Sequence, residues 1–153
     1  MNTNNTIPSD EHTLFMDRCI NLARIAKANH KTPVGAVMVY QGNIVGEGIE
    51  GDQQFPSPIA HAEAIAIIRA IENLGTKDLS ECTLYSTKEP CFMCAYLIRQ
   101  YKVSQVFFAQ TVEEIGGFTS DYPILTSKSI TKWNPPPKVI SGFYLDDCKK
   151  ALG

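Results

Sequence analysis

The first apolar pattern in the chain joins Phe15, Cys19, Leu22, Ala23 and Ala26, which recur at the three- and four-residue spacing of one helical face. Pro8, Ser9, Asp10 and Glu11 stand ahead of it as a start signal, with Ser9 able to cap and acids in the first turn; the helix is expected to end near Asn29. Two short apolar runs follow, over residues 34–40 and 44–48, and Gln41-Gly42-Asn43 between them predicts a hairpin. Residues 49–60, interrupted by Gly51, Pro56 and Pro58, read as a loop. Ala and Ile dominate residues 62–71, which predicts a buried helix.

After Gly75 a polar connection leads to a strand over 83–87, a helix from Cys91 to about residue 101, and a buried strand over 105–109. Residues 138–141 form a candidate last strand, preceded by the stiff Trp133-Asn134-Pro135-Pro136-Pro137 linker, and 145–152 a closing helix. Residues 116–122 are flexible, aromatic and polar at once, which suits either a lid over a pocket or an ordinary surface turn. The alternation of strand and helix predicts an α/β layered fold with a parallel portion following the hairpin.

A chain of 153 residues, 44% hydrophobic and 20% charged, is enough for one sizeable core, so residues 1–153 are expected to form a single domain with a flexible stretch at 1–8. The N-terminus has neither the basic nor the apolar region of a signal peptide, and no run reaches the ~20 apolar residues of a membrane span. Cys19, Cys82 and Cys148 are far apart and fall in or beside predicted core elements, which favours buried free thiols, a reducing compartment and a soluble, cytoplasmic protein. The net charge of −2 and pI near 5.9, with only a loose group at Lys128, Lys132 and Lys138, offer no obvious basic footprint. Nucleic acid is thereby disfavoured against a small base or nucleoside.

The chemistry concentrates in two stretches, His61-Ala62-Glu63 and, 27 residues later, Pro90-Cys91-Phe92-Met93-Cys94. One imidazole and two thiols make three zinc ligands, and a site with three protein ligands keeps a position open for water, unlike a closed structural site. A Cys-x-x-Cys just after proline would open a helix, where unpaired N–H groups and the helix dipole stabilise thiolates. Glu63, two residues beyond His61, can reach the same point and take a proton. Cys-x-x-Cys alone is equally a redox pair or half of a structural zinc knuckle; both stretches together, in this order, point to a catalytic zinc site binding one Zn2+ per chain.

These residues resemble the signature of zinc nucleobase deaminases. Pro33-Val34-Gly35-Ala36-Val37-Met38-Val39, Gly46-Glu47-Gly48, Ala60-His61-Ala62-Glu63 and Thr83-Leu84-Tyr85-Ser86-Thr87 leading into Glu89-Pro90-Cys91 follow in the same order and spacing. Over roughly residues 10–120 the chain is similar to the cytidine deaminase-like superfamily, in its branch of guanine, cytosine and tRNA adenosine deaminases. The resemblance implies a three-layer α-β-α fold around a mixed sheet of about five strands, and a homodimer. It also implies hydrolytic deamination: zinc on His61, Cys91 and Cys94 lowers the pKa of a water, and Glu63 accepts its proton, returns that proton to a ring nitrogen and helps the amine leave as ammonia.

By the same resemblance the Ala62 N–H bonds a ring carbonyl, Val34 and Phe118 are candidates for a pocket wall or stacking face, and Asp121 is a further substrate-binding candidate. Where the family commonly carries Asn, this chain has Glu50, which when ionised only accepts hydrogen bonds and would favour paired N–H donors such as guanine's, or else is a solvated loop acid beside Asp52. Guanine or a related aminopurine is the expected substrate, with tRNA adenosine or cytosine as alternatives. A noncatalytic zinc-stabilised interaction domain is the expectation of another class, which the retained Glu63 disfavours.

Overall fold

The computed structural model describes residues 9–153, so the expectation for residues 1–8 lies outside the described residues. In chain order the elements are α1 (Ser9–Ala28), β1 (Gly35–Tyr40), β2 (Asn43–Ile49), α2 (Ala62–Leu74), β3 (Cys82–Lys88), α3 (Phe92–Gln100), β4 (Gln105–Gln110), β5 (Lys138–Ile140) and α4 (Leu145–Leu152). The strands form one mixed sheet ordered β2-β1-β3-β4-β5. β1 is antiparallel to both β2 and β3, while β3, β4 and β5 run parallel. The parallel portion therefore follows the hairpin, as the strand-helix alternation predicts.

The sheet is covered on both faces, which is why its strands read as nearly continuous apolar runs. Strand alternation divides the core: Ala36, Met38, Leu84, Val106 and Phe108 join α2 and α3 on one face, while Val37, Val39, Tyr85, Phe107 and Ala109 join α1 and α4 on the other. Phe15, Cys19, Leu22 and Ala23 lie in the second cluster, so the first helical face is the one that docks. Cys19, Cys82 and Cys148 are buried free thiols.

The hairpin turn is shorter than the three residues expected. Gln41 and Gly42 take φ values of 49° and 79°, and Tyr40 pairs directly with Asn43, a two-residue turn of the twist that matches its strands. Beyond it, β2 meets α2 at backbone distance. A Cβ on Gly48 would lie 1.8 Å from the Ala62 carbonyl oxygen, and one on Gly46 2.2 Å from that of Ala66. Gly in the strand opposite Ala in the helix thus seats the start of α2 firmly on the sheet edge.

Candidate metal and active site

Two helix starts converge. His61 is the N-cap residue of α2 and Cys91 that of α3, both in extended conformation and neither making a side-chain cap hydrogen bond. Their side chains are instead directed to each other: His61 Nδ1 is 3.4 Å from Cys91 Sγ and 3.7 Å from Cys94 Sγ. The donor atoms of all three lie within 4.8 Å of one another, the one such metal-ligating group found among the described residues. Ligands at ordinary zinc distances around a tetrahedral ion are roughly 3.6 Å apart. The donor set and its spacing fit zinc, and a redox disulfide would leave His61 without a role.

The electrostatics agree. Cys91 is held down to about 4, first by the Cys94 thiol and also by His61, so its sulfur is a thiolate at neutral pH. His61 is pushed up to about 9, chiefly by its contact with Cys91. Cys94, which shares its proton with Cys91 and is buried, is raised well above the ordinary thiol range. Metal binding exchanges such protons for the ion.

Glu63 follows on the first turn of α2, with 4% of its surface exposed. Its Oε2 is 3.9 Å from Cys94 Sγ, and its Oε1 accepts the Ser86 hydroxyl at 2.9 Å. Burial raises the carboxyl to about 7, against the opposing effects of its own backbone N–H and of Ser86. A group poised near neutrality both accepts and donates a proton efficiently. The sequence does not single out Ser86, because β3 also carries the buried hydroxyls of Thr83 and Thr87 and nothing local marks which of the three meets Glu63.

A cleft of about 400 Å³ opens beside His61, lined among others by Lys31, Glu50, Gln53, Phe55 and Pro58. Glu50 Oε1 accepts the Ala62 N–H at 3.1 Å, so two of the expected substrate contacts meet each other. Burial raises the Glu50 carboxyl, and the Ala62 N–H counters this. Glu50 is half-buried at the edge of this cleft, while the neighbouring Asp52 carboxylate meets Arg69 at 3.1 Å. Val34 is buried in the core, where its carbonyl accepts the Glu50 N–H at 3.1 Å. Phe118 packs edge-on against Phe108 with ring centroids 6.0 Å apart. Asp121 is exposed and outside the cleft lining.

The segment containing Phe118 is not a free lid at its start. Gly116 and Gly117 are buried, Gly116 bridges Cys91, and the Gly117 N–H donates to the Pro90 carbonyl at 2.8 Å. Further along, Arg99, 2% exposed, donates to the carbonyl oxygens of Ile124, Leu125, Ser127 and Asn134. Its guanidinium lies 5.4 Å from the centre of the Trp133 ring. These bonds hold residues 124–134 against α3 and satisfy carbonyl groups of a stretch without regular structure.

Residues 9–110 match the cytidine and deoxycytidylate deaminase zinc-binding region. The tRNA-specific adenosine deaminase subunit tad2 of Schizosaccharomyces pombe is 33% identical over 146 residues, covering 95% of this chain; the chain spans 37% of that relative's length. A structure from a study of A-to-I editing by tRNA:A34 deaminases at the wobble position superposes with a TM-score of 0.82 and 28% identity, covering 92% of this chain and 99% of its own. The guanine deaminase of Bacillus subtilis gives a TM-score of 0.61 and 38% identity, covering 65% of this chain and 64% of its own.

Proposed function

We propose that this chain, which belongs to the cytidine and deoxycytidylate deaminase zinc-binding family and is a zinc-dependent deaminase of a nucleobase or nucleoside amidine, acts on adenosine in transfer RNA. The observation that carries the choice is the superposition on the tRNA:A34 deaminase, with a TM-score of 0.82 over 92% of this chain and 99% of its own, against 0.61 over 65% of this chain for the guanine deaminase of Bacillus subtilis and 0.73 over 90% for that of Nitrosomonas europaea. This ranking places the tRNA alternative above the expected aminopurine. His61, Cys91 and Cys94 would hold the ion, which when bound would supply Lewis-acid activation of a water to a pKa of about 7. Glu63 would carry the water's two protons in turn, the first to the ring nitrogen and the second to the departing amine, which leaves as ammonia while the water's oxygen stays on the ring carbon. Ser86 fixes the Glu63 carboxyl through Oε1, which leaves Oε2, 3.9 Å from Cys94 Sγ, to carry the proton.

Two observations favour a second reading, deamination of a free aminopurine such as guanine. The chain is net negative, and Lys128, Lys132 and Lys138 are exposed on a single short stretch rather than spread over a basic face. In addition, Glu50 presents an acceptor-only group in the cleft beside His61. A panel of tRNA, nucleosides and free bases, scored by ammonia release and product mass, separates the readings. The tRNA assignment expects turnover on tRNA that falls steeply between about 50 and 200 mM salt as counterions compete. Salt-insensitive turnover on a free base, with none on tRNA, overturns it.

The same panel gives Glu50→Gln a defined meaning. If Glu50 accepts paired N–H donors of a base, exchanging one acceptor for a donor should lower kcat/KM about 30-fold, equivalent to about 2 kcal/mol. If Glu50 only caps α2 through the Ala62 N–H, glutamine retains that oxygen and kcat/KM should change less than about threefold.

One domain and a homodimer belong to this proposal; size-exclusion chromatography with light scattering tests the latter. No helix among the described residues is long and apolar enough to cross a membrane.

A further inference from the structure

Glu89 stands two residues before Cys91 and has 2% of its surface exposed, yet no lysine or arginine pairs with it among the described residues. Donors from one remote segment meet its charge. Oε1 accepts the Val112 N–H at 2.9 Å and the Thr119 hydroxyl at 2.6 Å; Oε2 accepts the N–H groups of Phe118 and Thr119 at 2.9 and 2.8 Å. Hydrogen bonds to an ionised acceptor are about twice as strong as neutral ones. Between those anchor points the segment lies directly on the Cys91 backbone, through the Gly116 bridge and the Gly117 bond to Pro90. The packing leaves no slack: a Cβ on Gly116 would lie 2.1 Å from Glu89 Oε2, and one on Gly117 2.6 Å from Ala95 Cβ.

We propose that Glu89 is a positioning residue for Cys91: by gathering residues 112–119 it clamps the Pro90–Cys91 backbone and so sets where the Cys91 sulfur meets a metal. The inference rests on the reading of Cys91 as a zinc ligand. It explains why an ionisable side chain is buried beside a metal centre whose donor set it does not join. Glutamine cannot replace it, because four donors converge on two oxygens and an amide nitrogen would face two of them. Partners that orient metal ligands from behind typically contribute about 10–100-fold in metal affinity.

The test measures zinc affinity by competition with a chromophoric chelator, and the cobalt(II) absorption spectrum at saturating cobalt, well below the melting temperature. Glu89→Gln should weaken zinc binding about 10–100-fold and alter the sulfur-to-cobalt charge-transfer band. Phe15→Ala, which opens the core on the other face of the sheet, serves as a destabilised control and should leave both readouts at the wild-type values. If Glu89→Gln does not fold, Thr119→Val, which removes one donor, should still weaken zinc binding severalfold, with Thr119→Ser restoring it. Wild-type affinity and spectrum in folded Glu89→Gln, or in Thr119→Val where the first variant is insoluble, overturn the proposal. Cys91→Ser is the separating arm: if it binds zinc as well as wild type, the ligand reading itself fails, whereas its loss alongside an unchanged Glu89→Gln sinks only the positioning role.

Discussion

Replacing Glu63 with glutamine is expected to abolish practical turnover while the protein stays folded and keeps its zinc. The substitution preserves shape and can still accept the Ser86 hydroxyl, so the buried contact at 2.9 Å survives. What it removes is a group that takes and gives protons. A single general acid or base step contributes about 10²–10⁴-fold, and Glu63 serves both the activation of water and the delivery of protons to the ring nitrogen and amine. A fall in kcat of at least about 10³-fold, with zinc content and melting temperature near wild type, is the expected result. Activity within tenfold of wild type would remove Glu63 from the reaction and favour the noncatalytic, zinc-stabilised reading of the fold.

Substituting both Cys91 and Cys94 with serine should leave the chain without bound zinc after dialysis, since neutral hydroxyls are poor replacements for thiolates and His61 alone does not hold the ion. Stability reports the same event. Zinc at about 100 times its Kd stabilises a protein that binds it only when folded by about 2.7 kcal/mol, which in a domain of this size raises Tm by about 5–10 °C. Wild type should show that rise on zinc titration and the double variant none. Equal zinc content by elemental analysis in the two proteins would place the metal elsewhere.

The elements and the metal triad were readable in the chain because each rests on a local signal. The helical face from Phe15 to Ala26 and the apolar strands repeat at short periods, while His61, Glu63, Cys91 and Cys94 cluster at two helix starts. What escaped is non-local. Ser86 meets Glu63 across 23 residues, Glu89 reaches 23–30 residues ahead to amides and a hydroxyl, and Arg99 reaches 25–35 residues ahead to carbonyl oxygens. Backbone groups of an irregular segment carry no residue-type signature, so neither Glu89 nor Arg99 announces its partners. The same blindness makes Gly116 and Gly117 look flexible, when their missing side chains are what let the segment lie against Cys91 and Ala95.

The close seating of β2 on α2 bears on how this enzyme can change over evolutionary time. Gly46 and Gly48 admit no side chain toward Ala66 and Ala62, so drift at this junction would push the helix bearing His61 and Glu63 away from its partner sulfurs. Selection therefore has little freedom in the reacting geometry, and new preferences must arise outside it. The loop from Glu50 to Ala60 follows immediately after the constrained strand and supplies most of the cleft lining, with side chains as different as Gln53, Phe55 and Ser57. A lineage could exchange one amino-substituted ring for another by altering that loop alone, and directed evolution toward a new base has its natural library there.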